Sequence, residues 1–234
     1  MPPKTDTAPE VTVIVPALNE EATIVEVIER LLKLDLKTQI IVVDDGSTDK
    51  TNDRVQVFGD RILLLVNPEP GGKGAAIRKA LPYAEGKAVI VQDADLEYFP
   101  EEIPKLIQPI LNGTARAVYG TRFAHGLPKG MALPNKIVNR LLAWSVLVLF
   151  GRKLSDEATC YKAFDRELLN KMNLTCHRFE FCPEVTAKTL RLKERIVEMP
   201  IDYTPRSKEA GKKIRWTDAP EAFWTLLKHR FSKF

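Results

Sequence analysis

The chain is poor in cysteine, has no apolar run of some twenty residues and carries little excess charge, and each shortage removes a class of protein. Cys160, Cys176 and Cys182 are the three cysteines among 234 residues. An odd number without zinc-finger spacing points to packed, reduced thiols and not to a disulfide framework or a metal site. Residues 1–10 are rich in proline, threonine and charge and lack the apolar core of a secretory signal, so they read as a loose leader on a cytoplasmic protein. The apolar run 141–150 falls short of the roughly 20 residues that span a bilayer. A formal net charge of +4 comes with no zinc finger, helix-turn-helix or aromatic-interleaved basic strand, so nucleic acid is not an expected partner.

What is present organises into alternating units. With 44% hydrophobic residues the chain can bury one substantial core. Residues 11–15 form a Val/Ile-rich strand that runs into Pro16-Ala17-Leu18-Asn19-Glu20, and a helix follows on Ile24, Val27, Ile28, Leu31 and Leu32. A second strand, 40–43, ends at Asp44-Asp45-Gly46-Ser47-Thr48-Asp49, short polar residues suited to capping the next helix. Residues 62–66 are a third strand, followed after Asn67 by Gly71-Gly72-Lys73-Gly74 and a helix from near Ala75. Residues 88–91 are a fourth, with a helix introduced by Pro100 and Glu101, and 117–119 add a short strand ending in Gly120-Thr121-Arg122. Continuous apolar strands with helical crossovers predict an α/β protein, a mostly parallel sheet covered on both faces, whose ligands sit beyond the carboxyl ends of the strands. Every polar cluster named here lies at such an end.

The fourth strand terminates in Gln92-Asp93-Ala94-Asp95-Leu96-Glu97, three carboxylates at alternate positions. Grouped carboxylates repel one another unless a cation offsets them. An oxygen-only set without His or Cys suits Mg²⁺ or Mn²⁺, ions commonly shared with a substrate's phosphates. Asp93, Asp95 and Glu97 are therefore the expected metal ligands, and a diphosphate the expected substrate group.

Two later segments stand apart. Residues 135–150 read as a helix with a nearly all-apolar second half, either buried or lying at a membrane interface, within an apolar region 131–153. Residues 216–234 form an amphipathic end in which Phe223, Trp224, Leu227 and Phe231 alternate with Lys228, His229 and Arg230. Between them Arg206, Lys208, Lys212, Lys213 and Arg215 form a basic run suited to an anion or a membrane surface.

Taken together, Val13-Ile14-Val15-Pro16-Ala17-Leu18-Asn19-Glu20, Val43-Asp44-Asp45-Gly46-Ser47-Thr48-Asp49, Gly72-Lys73-Gly74, Gln92-Asp93-Ala94-Asp95, Gly120-Thr121-Arg122 and Thr159-Cys160-Tyr161-Lys162 resemble family 2 glycosyltransferases. Specifically, they resemble the dolichyl-phosphate mannosyltransferase-like branch. The resemblance implies a GT-A, Rossmann-like catalytic domain over residues 11–215 and inverting, metal-dependent transfer from a nucleotide-diphosphate sugar to a polyprenyl phosphate. GDP-mannose is the first expectation for the donor. It also implies that Pro16, Ala17, Asn19, Glu20, Asp45, Lys73, Asp93 and Ala94 line the nucleotide pocket. Asp95 would reach the metal and diphosphate, Arg122 and Arg140 would clamp the acceptor phosphate, and Arg206 and Lys212 would close over the diphosphate. Asp156 would orient the acceptor, serve as a base, or merely cap a helix. Relatives carry C-terminal membrane helices and this sequence shows none, so a peripheral site on the cytoplasmic membrane face, or a membrane-protein partner, is expected.

Overall fold

The computed structural model describes residues 8–124, 126, 131, 133–205 and 219–232. Seven strands form one sheet in the order β3-β2-β1-β4-β6-β5-β7. They are β1 (Val11–Ala17), β2 (Thr38–Asp44), β3 (Leu63–Val66), β4 (Ala88–Val91), β5 (Ala117–Thr121), β6 (Lys162–Asp165) and β7 (Ile196–Pro200). Among the described residues the α-helices are α1 (Ile24–Leu32), α2 (Thr51–Gln56), α3 (Lys73–Ala80), α4 (Ile103–Leu111), α5 (Leu133–Phe150), α6 (Arg166–Lys171), α7 (Phe181–Arg191) and α8 (Ala219–Phe231).

The expected parallel half is present: β1 pairs in parallel with β2 and with β4, and β2 with β3. All four residues of β4 are buried, as both-sided burial of a central parallel strand requires. Helix α1 buries Ile24, Val27, Ile28 and Leu31, one face at helical spacing, while Leu32 turns outward.

The other half departs from the sequence reading. Strand β6 enters antiparallel between β4 and β5, and β7 adds a parallel edge beside β5. Neither strand has a continuous apolar run. In β6, Lys162 is fully buried, its ammonium donating 2.6 Å to the Glu157 carbonyl and lying 3.6 Å from the Tyr119 ring centroid. In β7, Glu198 interrupts the pattern because it accepts bonds from the loop above.

Helix α5 is two residues longer than expected at its start and extends well beyond the apolar run 141–150. At 18 residues it is long and apolar enough, by length and composition alone, to cross a membrane. It buries Asn139, Leu142 and Val146, and Leu133, Ile137, Leu141, Trp144, Leu147 and Val148 are exposed. Helix α8 packs along it and is pinned by Arg230, whose Nε donates 2.6 Å to the Leu149 carbonyl. Trp224, Leu227 and Phe231 of α8 are exposed as well.

Candidate active site

The ends of β1 and β2 are tied together by side chains that the strand-end motifs supply. Asn19, with φ of 52°, accepts at Oδ1 from the Thr48 backbone N–H at 2.8 Å, and its own N–H donates to Ser47 Oγ at 2.9 Å. The Glu20 N–H donates to Thr51 Oγ1 at 2.8 Å, fixing the start of α2. Asp45 faces the turn after β3: Oδ1 accepts from Asn67 Nδ2 at 2.6 Å and Gly71 N at 3.0 Å, and Oδ2 from Gly72 N at 2.7 Å.

That turn is held from the far side too. Gly74 N donates to the Arg178 carbonyl at 3.0 Å and Ala75 N to the His177 carbonyl at 2.8 Å. A Cβ on Gly72, where φ is +93°, would stand 2.6 Å from the His177 oxygen, and one on Gly74 would stand 2.9 Å from Cys176. Only glycine permits this approach. The N–H groups of Gly71, Gly72, Gly74 and Ala75 are thus already used, and the Lys73 side chain borders the cavity beside them.

Lys73 Nζ forms an ion pair with Asp93 and lies 3.2 Å from Cys160 Sγ. Burial alone would depress the ammonium, but the Asp93 carboxylate outweighs it and holds the group well above its ordinary value. Three residues beyond Asp93, Leu96 takes φ of 60°, and Asp95 Oδ1 accepts from the Glu97 N–H at 3.1 Å. Glu97 Oε2 accepts from the Tyr203 hydroxyl at 2.9 Å. Among the described residues no three His, Cys, Asp or Glu side chains converge as a metal cage. The expected three-carboxylate set is therefore not assembled, because Asp93 is engaged by Lys73 and Glu97 by Tyr203. The donor set still fits a hard divalent ion held by one or two carboxylates, Asp95 and Asp93, with substrate phosphates completing its shell.

At the end of β5, Arg122 forms a forked pair with Asp156: Nε to Oδ2 and Nη2 to Oδ1, each 2.7 Å, with the Arg122 N–H adding 3.0 Å to Oδ2. Asp156 is fully buried, and its carboxylate outweighs the desolvation of the guanidinium. Asp156 neither caps a helix nor lines the cavity among the described residues; its two oxygens hold the Arg122 guanidinium and backbone. Glu198 of β7 fixes the loop by accepting from Ser155 N at 2.9 Å and Asp156 N at 3.1 Å. The guanidinium stacks 5.1 Å from the Tyr203 ring, which lies 5.2 Å from Tyr98.

These groups border one cavity of about 790 Å³. Of the residues singled out in the sequence, Pro16, Ala17, Glu20, Asp45, Lys73, Asp93, Ala94, Asp95, Glu97 and Arg122 line it. Asn19 does not, being spent on joining loops. Arg140 does not either: Asn135, Val138, Asn139 and Leu142 give α5 its inward face, and Arg140 is exposed on another side of the helix. Arg206 and Lys212 lie outside the described residues. Sequence reasoning missed Tyr98, Tyr203 and Glu157. The tyrosines meet in an isolated antiparallel bridge across 105 positions, for which no local signal exists. Glu157 is fully buried with neither carboxylate oxygen hydrogen-bonded among the described residues, and burial raises its pKa.

Residues 12–172 match the family model described as glycosyl transferase family 2. The chain belongs to glycosyl transferase family 2. It is 31% identical over 215 residues to the low-salt glycan biosynthesis hexosyltransferase Agl6 of Haloferax volcanii, covering 88% of this chain and 50% of that one. It is 28% identical to a dolichol-phosphate mannosyltransferase of Pyrococcus furiosus, covering 87% and 59%. The chain thus spans half to three-fifths of these two relatives. Among solved structures, glucosyl-3-phosphoglycerate synthase of Mycobacterium tuberculosis, in complex with Mn²⁺, uridine diphosphate and phosphoglyceric acid, superposes with a TM-score of 0.73 at 24% identity. The match covers 97% of this chain and 80% of that one. The fold is the GT-A fold of family 2 glycosyltransferases, with the mixed edge formed by β6, β5 and β7.

Proposed function

We propose that this domain transfers a sugar, with inversion, from a nucleoside diphosphate sugar to a polyprenyl phosphate at the cytoplasmic face of a membrane. The observation that carries this reading is the continuity of the cavity. It takes in the carboxylates after β4, the Arg122 guanidinium and the inner faces of α5 and α8, two helices whose outer faces expose Trp144, Val148, Trp224 and Phe231. A charged acceptor head and an apolar tail are thus served by adjoining surfaces. Relatives named as a dolichol-phosphate mannosyltransferase and an undecaprenyl-phosphate 4-deoxy-4-formamido-L-arabinose transferase support the acceptor class. GDP-mannose remains the first candidate donor.

In this reading Pro16, Ala17, Glu20 and Asp45 receive the nucleoside, and Asp45 acts by holding the Gly71-Gly72 turn in place. When bound at Asp95 and Asp93, Mg²⁺ or Mn²⁺ supplies charge neutralisation for the leaving diphosphate. Lys73 adds a cation beside them, and Arg206 with Lys212 extends the positive charge. Arg122 Nη1 lies outside the pair with Asp156 and is the nitrogen that meets an acceptor phosphate oxygen. A phosphate attacks as an anion, so this chemistry asks for orientation instead of proton removal. A hydroxyl acceptor is the second reading, favoured by Glu157: a buried carboxyl with raised pKa on the cavity wall suits a base.

The test is transfer from a panel of nucleotide sugars to a short-chain polyprenyl phosphate and to the matching polyprenol. The expected outcome is transfer to the phosphate alone, abolished by EDTA and restored by Mg²⁺ or Mn²⁺. Lys in place of Arg122 should keep the charge, lose the fork and raise the acceptor KM by about tenfold or more. Equal transfer to the polyprenol, lost in Glu157→Gln, would establish the second reading.

A further inference from the structure

We infer that Lys73 is an internal counter-cation for Asp93, which it releases to a divalent metal only as a diphosphate enters and receives the ammonium in exchange. This rests on the metal-dependent reading above and adds to it a coupling between metal and donor. Three observations lead there. The Lys73 ammonium sits at Oδ1 of the carboxylate that a metal would need, so ammonium and metal compete for one carboxylate. Among the described residues its other hydrogen-bond contact is the Cys160 thiol at 3.2 Å, and its side chain is only 14% exposed, so displacement by metal alone would leave a largely desolvated ammonium without its paired carboxylate. The backbone beneath it is immobilised by the close packing of Gly72 and Gly74 on residues 176–178, while the four-carbon stem rotates freely enough to carry a point charge between neighbouring acceptors.

An arriving diphosphate changes that balance. The N–H groups of Gly71, Gly72, Gly74 and Ala75 are committed to Asp45, Arg178 and His177, so the Lys73 ammonium is the one charged group with which the turn reaches a phosphate oxygen. Once it does, Asp93 is open to the metal. Metal and diphosphate therefore bind with positive coupling beyond their direct mutual attraction, and by linkage each raises the affinity of the other. In the absence of donor the site stays closed to stray divalent ions.

Mn²⁺ binding followed by the electron paramagnetic resonance of the free ion, with and without GDP or UDP, reads this directly. The wild-type chain is expected to bind Mn²⁺ weakly alone and at least tenfold more tightly with nucleotide. Lys73→Met should raise the nucleotide-free Mn²⁺ affinity by roughly tenfold, shrink the nucleotide effect and weaken nucleotide binding. Lys73→Arg, which retains a cation, should keep the nucleotide-free affinity low, and thermal melts report whether each variant is folded. Unchanged or lower nucleotide-free Mn²⁺ affinity in folded Lys73→Met overturns the exchange while leaving metal dependence intact. No Mn²⁺ binding by any variant with either nucleotide, while nucleotide itself still binds, overturns the metal-dependent reading and the exchange with it.

Discussion

Two ion pairs border the same cavity and are built differently. Lys73 meets Asp93 through one ammonium, with side chains 14% and 18% exposed, whereas Arg122 meets Asp156 through a fork, with side chains 7% and 0% exposed and a backbone N–H added. The first is a contact that an incoming ion or phosphate can open. The second is a support, since its carboxylate has no solvent to turn to and its loop is bolted to Glu198. Burial and hydrogen-bond number thus separate the two, and in the proposed function the first pair serves exchange on the donor side and the second rigidity on the acceptor side.

The sharpest way to break the comparison is Asp156→Ala. It leaves a buried guanidinium unpaired, and urea unfolding should show a loss of about 3–5 kcal/mol. A loss below ~1 kcal/mol would place Arg122 among the exchangeable groups.

A third pair extends the contrast. Glu184 of α7 is buried like Asp156 and accepts from Thr175 N at 2.9 Å, Cys176 N at 2.7 Å and Lys188 Nζ at 2.6 Å. Burial pushes its carboxyl up, but bonds from Lys188 and Thr175 outweigh that and bring it from 4.5 down to about 2. A depressed carboxyl stabilises the fold above its unfolded value, and that stability is lost as pH falls from about 4.5 toward 2. The loss should be about 3 kcal/mol, read from urea midpoints across that range. In Glu184→Gln the step should vanish and the variant should already be weaker at pH 7.

The smallest effect on stability belongs to Asp93→Asn. The pair is mostly buried, but Asn keeps an oxygen for the Lys73 ammonium, so the loss should be about 1–2 kcal/mol, yet transfer should fall by roughly a hundredfold or more because the diphosphate loses its metal. Near-native unfolding beside lost turnover is the expected signature. A stability loss matching Asp156→Ala would erase the distinction between the pairs.

How much of this was legible beforehand divides along the sheet. Strands β1 to β4 were readable because residues buried on both faces must be apolar without interruption, and their polar ends stood out against those runs. Asp93, Asp95 and Glu97 were named from such an end, whereas Pro16, Ala17, Glu20, Asp45, Lys73, Ala94 and Arg122 came with the family resemblance; all ten border the cavity. Strands β6 and β7 were not readable: Lys162 is buried on a tyrosine ring and a carbonyl, and Glu198 serves the neighbouring loop, so long-range partners replace the apolar pattern.

The amino-acid order by itself determined the β-α alternation, the family and the chemical types gathered at the strand ends, because local periodicity and short motifs are properties of neighbouring residues. Tertiary structure alone decided who holds whom. It set Lys73 on Asp93 across 20 positions, Arg122 on Asp156 across 34 and Tyr203 on Glu97 across 106. It also turned Arg140 away from the cavity and Asn19 into a tie between loops. Such pairings depend on distances between chain segments that meet only when the sheet closes, and a carboxylate's role, as exchangeable ligand or buried support, follows from the partner it finds there.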